Sequence, residues 1–148
     1  TQIFSFLPDM WAGFGTNLSY SYTETEITRI SDPNQGIYSS DLPGLSPEVL
    51  SATLFYDNAK GFETRINARY RDPFVSQQVA VNSQVVNFDS ELVVDFQASY
   101  EINENLGVLF QANNITDEPT KSYFGSESRT GTIQYFGTQY YLGVTYSL

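Results

Sequence analysis

The sequence predicts an all-β protein, an antiparallel, up-and-down transmembrane β-barrel segment of about seven strands. Three observations carry this reading. Apolar residues recur with a period of two, the pattern of a strand with one greasy face. The connections between these stretches alternate short and long. The composition suits a bilayer better than water: charged residues are 16%, against about 25% in an average soluble domain. Aromatic residues are also 16%, almost all Tyr and Phe at 11 each, and Tyr is at home at the headgroup level.

Composition excludes much else. The 148 residues fit one domain. Seven Lys and Arg against 17 Asp and Glu give a net charge of -10, so no nucleic-acid partner is expected. There is no cysteine and no histidine. The commonest general base, thiolate chemistry and Ser-His-Asp triads are therefore missing, and neither an enzyme nor a cofactor is expected. No metal site is expected either: Asp32, Asp41 and Glu127 lack the spaced Asp-x-Asp pattern of a calcium loop. No apolar run approaches the ~18–20 residues of a membrane helix. The chain opens without Met or a signal peptide, at a Thr1–Phe6 stretch that already alternates, and so reads as cut from something longer.

The strands follow in order. Phe4 and Phe6 look like the tail of one. Phe14, Leu18, Tyr20 and Tyr22 alternate with Gly15, Asn17, Ser19 and Ser21. Leu50, Ala52, Leu54 and Tyr56 alternate with Ser51, Thr53 and Phe55. Phe62, Thr64, Ile66, Ala68 and Tyr70 alternate with Glu63, Arg65, Asn67, Arg69 and Arg71. Leu92, Val94, Phe96, Ala98 and Tyr100 oppose Val93, Asp95, Gln97, Ser99 and Glu101; Leu106, Val108, Phe110 and Ala112 oppose Gly107, Leu109, Gln111 and Asn113. Phe136 through Leu148 is expected to be one last strand, with Phe136, Thr138, Tyr140, Leu142, Val144, Tyr146 and Leu148 on a single face. These strands are roughly 10–14 residues, longer than the usual 5–6 and near what a tilted strand needs to cross a bilayer.

Short connections fall at Pro8–Met10, Asp57–Gly61 and Asn103–Asn105, and long ones at Ile30–Ser46, Val75–Asn87 and Asp117–Gln134. A membrane barrel segregates its loops in this way, with short turns on the periplasmic side and long loops outside. Phe62, Tyr70, Tyr100, Tyr140 and Tyr146 would belong to its two aromatic girdles.

Four stretches resemble the C-terminal part of the TonB-dependent outer-membrane receptors. Leu42-Pro43-Gly44-Leu45-Ser46-Pro47 is similar to the lead-in before a late barrel strand. Gly61-Phe62-Glu63-Thr64-Arg65, running to Tyr70-Arg71-Asp72, is similar to the strand that follows it. Asn113-Asn114-Ile115-Thr116-Asp117-Glu118-Pro119 resembles the end of the penultimate strand, and Gly137-Thr138-Gln139-Tyr140-Tyr141-Leu142-Gly143-Val144 the final one. Gly143, Tyr146 and Leu148 match the terminal tag read by the barrel-assembly machinery. The usual last residue is aromatic and is Leu148 here; Thr138 stands where Arg is common.

The resemblance implies residues 1–148 of a barrel of 22 strands, in the outer membrane of a Gram-negative bacterium, with the earlier strands, the plug domain and the TonB box outside this sequence. It implies contacts with membrane lipid, with the rest of the barrel and the plug, and with TonB through the absent N-terminal region. The implied function is active import of a scarce small ligand, an oligosaccharide in preference to a ferric siderophore. Seven strands alone cannot close: bacterial single-chain barrels have even numbers from eight upward, and an open edge in lipid leaves polar backbone groups unpaired.

The candidate ligand-binding residues divide into two sets. Arg65, Arg69, Arg71, Asp95, Gln97 and Gln111 face the predicted lumen, beside Glu63, Asn113 and Gln139. Tyr38, Tyr123, Phe124 and Arg129 lie in long connections, where aromatic rings beside charges could stack on a sugar ring. The plainer reading of both sets is polar lumen wall and solvated loop. A competing class is a soluble ligand-binding β-barrel or β-sandwich whose apolar faces bury against each other.

Overall fold

Among the described residues thirteen strands appear in chain order: β1 (Gln2–Ile3), β2 (Phe14–Tyr22), β3 (Ile27–Asp32), β4 (Gly36–Ser40), β5 (Glu48–Asp57), β6 (Phe62–Arg71), β7 (Phe74–Gln77), β8 (Val86–Phe88), β9 (Glu91–Asn103), β10 (Leu106–Asn113), β11 (Thr120–Phe124), β12 (Thr130–Gln134) and β13 (Gln139–Tyr146). The structure, a computed structural model, describes residues 1–8, 11–32, 36–77 and 84–147, without the side chains of 29–32, 36–40 and 77. Leu148, Asp9 and Met10 of the first short connection, and the Tyr38 side chain therefore lie outside the description. The described residues contain no α-helix, hence none able to cross a membrane.

Seven strands form one antiparallel meander in the order β1-β2-β5-β6-β9-β10-β13. It is an open sheet, with β1 and β13 at its edges. The long connections are not featureless. The one after β2 folds into the β3–β4 hairpin, and the two after β6 and β10 supply a four-stranded sheet ordered β12-β11-β8-β7. These six short strands are too brief to show a period in the sequence. Their ladders take up backbone groups that would otherwise hang in a long loop.

The short turns are closed by Asn and Asp side chains accepting backbone N–H groups. Asp57 Oδ1 accepts from Ala59 N at 2.7 Å, and Asn58 Oδ1 from Lys60 N at 2.7 Å and Phe62 N at 3.0 Å. Gly61 at φ +88° completes this turn, and a Cβ there would sit 3.0 Å from Glu101 Cβ. Asn103 Oδ1 accepts from Asn105 N and Leu106 N, both at 3.0 Å. Asx turns of this kind reverse a strand within a few residues.

Registration fixes the faces. Residues opposite each other in an antiparallel pair point to the same side. One line runs Phe14, Tyr56, Thr64, Ala98, Phe110, Leu142 across six strands. All its members are even-numbered, and the rest of the ladder keeps that parity up to the β9–β10 turn, so the even face is largely apolar from β2 to β13. The odd face carries Asn17, Thr53, Arg65, Asn67, Asp95, Gln97, Gln111 and Gln139. Four shallow hollows of about 250 to 640 Å³ lie along this odd face. These hollows thus lie on the polar side of the sheet.

The even face has an internal geometry. Measured from the line through Phe14, the aromatic residues nearest the short turns are Phe14 and Tyr56 on the line, Phe62 and Tyr100 two residues beyond it, and Tyr146 four beyond. Toward the long connections Tyr22 lies eight residues above the line, Tyr20 and Tyr70 six, and Phe96 and Tyr140 two. The row at the short turns thus slips by four residues over five strand steps, and the other by four to six in the same direction. At ~3.3 Å rise and ~4.8 Å strand spacing, the four-residue slip corresponds to strands tilted by about 30° from the normal to the rows. The eight residue steps from Phe62 to Tyr70 then span roughly 23 Å between them.

Almost nothing is buried. Among the described residues Ala112, 4% exposed, is the whole apolar core, and Leu142 is 78% exposed. The chain exposes 10418 Å², whereas a compact monomer of its 16.7 kDa exposes about 7,600 Å². The extensive contacts between elements all join hydrogen-bonded neighbours. Among the described residues no second layer covers the apolar face, as a soluble domain needs.

Two sequence expectations need correction. The last strand begins at Gln139, not Phe136, because Gly137 adopts φ +73° and interrupts the alternation. Phe136 therefore leaves the even-face row and lines a hollow with odd-face residues. The first strand is Gln2–Ile3; Phe4 still donates its N–H to Phe14 O at 2.8 Å, but the ladder stops there.

Candidate functional site

The polar side chains of β6, β9 and β10 form the site. Their backbones are fixed by the ladder: Arg65 stands opposite Gln97, Asn67 opposite Asp95, Arg69 opposite Val93 and Arg71 opposite Glu91. Gln97 in turn faces Gln111. The six wall residues expected from the sequence thus share one face of three adjacent strands.

Each arginine has a partner. Arg65 donates to the Gln97 Oε1 oxygen through Nε at 3.1 Å and also through Nη2. Arg69 Nη2 lies 3.1 Å from Asp95 Oδ2, with side-chain exposures of 59% and 23%. A pair this open contributes only about 0–1 kcal/mol. Arg71 Nη2 lies 2.8 Å from Glu91 Oε2, and its guanidinium carbon sits 5.0 Å from the Phe74 ring centroid. Burial under that ring leaves Arg71 Nε without a hydrogen-bond partner. Glu91 Oε1 accepts from Thr120 Oγ1 at 2.9 Å. Arg71 thus joins the main sheet to β7 and β11.

Asp95 has both oxygens engaged. Besides Arg69, it accepts the backbone N–H of Asn114 at 3.0 Å. Asn114 holds φ +52°, and its side chain bonds Glu118 twice, donating to Glu118 O at 3.0 Å and accepting from Glu118 N at 2.9 Å. Thr138 Oγ1 donates to Asn114 O at 2.9 Å. This knot seats both ends of the long connection between β10 and β13.

Uncharged amides fill the remaining wall. Asn67 Oδ1 accepts from Thr53 Oγ1 at 2.9 Å and Ser51 Oγ at 3.4 Å. Gln111 Nε2 donates to Asn113 Oδ1 at 2.7 Å, and Tyr141 OH donates to Gln139 Oε1 at 2.8 Å. A hollow of about 250 Å³ lies over Arg65, Asn67, Gln97 and Gln111. A neighbouring one of about 500 Å³ is lined by Asn67, Arg69, Asp95, Gln111, Gln139 and Phe136, among others.

The loop candidates lie elsewhere. Tyr123 and Phe124 end β11 and Arg129 closes the following turn, where Phe124 N donates to Arg129 O at 2.9 Å. Burial raises the Tyr123 pKa above its usual value, and the nearby carboxylates of Glu127 and Asp89 raise it further. Tyr38 is on β4, in the separate hairpin. Tyr146 and Gly143 are on β13, opposite Leu106 and Leu109. A Cβ at Gly143 would meet Leu109 Cβ at an ordinary 3.6 Å, so packing within this chain does not require glycine there. Among the described residues no three Asp or Glu come together as a metal site.

Asn67, Asn114 and Phe136 were not singled out as site residues by the sequence. Gly137, a turn residue beside an aromatic one, was the available signal for Phe136. No protein family, curated protein or solved structure matches the chain.

Proposed function

We propose that the chain is the C-terminal barrel segment of a TonB-dependent outer-membrane receptor, part of a transporter that imports a scarce ligand with energy supplied through TonB. Its even-numbered face meets lipid, and its odd-numbered face meets water, plug and passing ligand in the lumen. The observation that carries the reading is the largely apolar even face from β2 to β13, whose polar members are Thr16, Thr64 and, at its rim, Glu48, bounded by two aromatic rows that slip in the same direction. The spacing of about 23 Å between rows compares with an apolar band of ~25 Å in outer-membrane barrels, and the slope of about 30° with their strand tilt of ~35–45°. Short turns at one end and hydrogen-bonded outer sheets at the other supply the expected polarity. The four sequence resemblances supply the family. A closed barrel of 22 strands would pair both free edges.

Density fractionation of the host cell tests this. The reading predicts the protein in the outer-membrane fraction, with ligand uptake abolished when the inner-membrane proton gradient is collapsed. Recovery of the intact protein in a soluble fraction would contradict it.

A further inference from the structure

The hollow beside Phe136 has a chemistry of its own. Its charges are cancelled: Arg69 is paired with Asp95 at 3.1 Å, and Asp95's second oxygen is taken by Asn114 N. Its other polar groups are neutral amides already half engaged. Asn67 accepts through Oδ1, Asn113 accepts through Oδ1, and Gln139 accepts through Oε1. Each keeps an amide nitrogen with no protein partner among the described residues, while Gln111 donates through Nε2 and keeps Oε1. The hollow thus offers three sets of free donors and one free acceptor, with no net charge. Phe136 lines the same space and is 64% exposed, held out of the apolar row by Gly137.

We infer that this hollow is a subsite for a neutral, polyhydroxylated ring, with Phe136 as its stacking residue. The inference rests on the transporter reading and narrows its ligand class. Hydroxyl groups both donate and accept, and so match amides that offer both. The apolar face of such a ring needs an aromatic surface, and a small pocket of this kind orients its ligand through a few placed polar groups. An anionic ligand would find Arg69 already neutralised and a chain of net charge -10 around it.

The test uses the whole receptor that contains this segment, in lauryldimethylamine oxide micelles, a sugar-free detergent, with saturation-transfer NMR. The probes are maltohexaose, cellohexaose, xylohexaose and chitohexaose, set against hexagalacturonate as the anionic counterpart. At least one neutral probe should bind in preference to hexagalacturonate. Phe136→Ala should weaken that binding by about tenfold and Phe136→Trp should retain it. Asn67→Ala should weaken it as well. Binding of no neutral probe, preference for the anion, or binding unchanged in Phe136→Ala would each overturn the inference. A protein that fractionates with the outer membrane but gives any of these results loses this subsite and keeps the transporter reading.

Discussion

The Asp95 carboxylate receives the backbone N–H of Asn114 at 3.0 Å, tying the centre of β9 to the turn that leaves β10. That contact explains why Asn114 tolerates a left-handed backbone at φ +52°. It also makes Asp95 a structural hub as much as an acid of the polar face. Asp95→Ala should therefore destabilise the sheet by about 1–3 kcal/mol, because it strips a charge-assisted bond from a part-buried N–H. Arg69→Ala should cost under ~1 kcal/mol, since it removes only an exposed ion pair. Guanidinium unfolding in detergent micelles measures both. Equal costs would contradict this ordering.

Asn114 itself separates backbone from side chain. Asn114→Gly keeps the left-handed conformation and loses only the two bonds to Glu118. Asn114→Ala loses those bonds and adds the left-handed penalty of about 1–2 kcal/mol. The alanine variant should be the less stable by that margin in the same unfolding assay.

The two faces should respond oppositely to charge. Ile66 and Asn67 are adjacent on β6 but point to different sides. In a membrane, Ile66→Arg should cost about 2–4 kcal/mol if the site lies near the bilayer midplane, whereas Asn67→Arg on the lumen side should cost far less. Folding titrations into lipid vesicles compare the pair. Similar costs for the two would argue against a lipid-facing even side.

Arg71, Glu91 and Thr120 should act as one unit. Glu91→Ala and Thr120→Val each break the link between the main sheet and β11. Amide hydrogen exchange across Thr120–Phe124 should accelerate by about tenfold in either variant. The double variant should add little, because residues in one hydrogen-bonded network are not additive. Additive effects would mean that the contacts are independent.

Alkaline pH should loosen the four-stranded sheet. Folding raises the Tyr123 pKa, so the folded state holds the phenol proton more tightly. The associated stability is complete below the ordinary tyrosine value of ~10 and is lost as pH rises through the higher folded value. Exchange at β11 and β12 should therefore accelerate above about pH 10, and Tyr123→Phe should remove that acceleration.

The main sheet was legible because its signal is repeated. Even-face residues such as Leu54, Ile66 and Phe96 sit in successive strands that each carry the period independently, so errors in one are corrected by the next. Strands β7, β8, β11 and β12 are three to five residues long, too short for a period to emerge. The pairing of β8 with β11 joins segments more than thirty residues apart, as Ser122 with Phe88. Phe136 was misread because parity was extrapolated through Gly137, where one left-handed residue resets which side the chain presents. The wall residues could be placed on one face from sequence, but their partners could not. Whether Arg69 meets Asp95 or Val93's neighbour on the other side depends on register, and register is a tertiary property.

Lipid accessibility along β6 tests the central claim most directly. This segment has no cysteine, so in the whole receptor, with any cysteine elsewhere replaced, single cysteines at residues 64 to 69 can be labelled without background. In vesicles with quencher-bearing lipid chains, labels at Thr64, Ile66 and Ala68 should be quenched, and those at Arg65, Asn67 and Arg69 should react with a charged aqueous thiol reagent. A profile without this alternation, or one with both sets in water, would contradict the account.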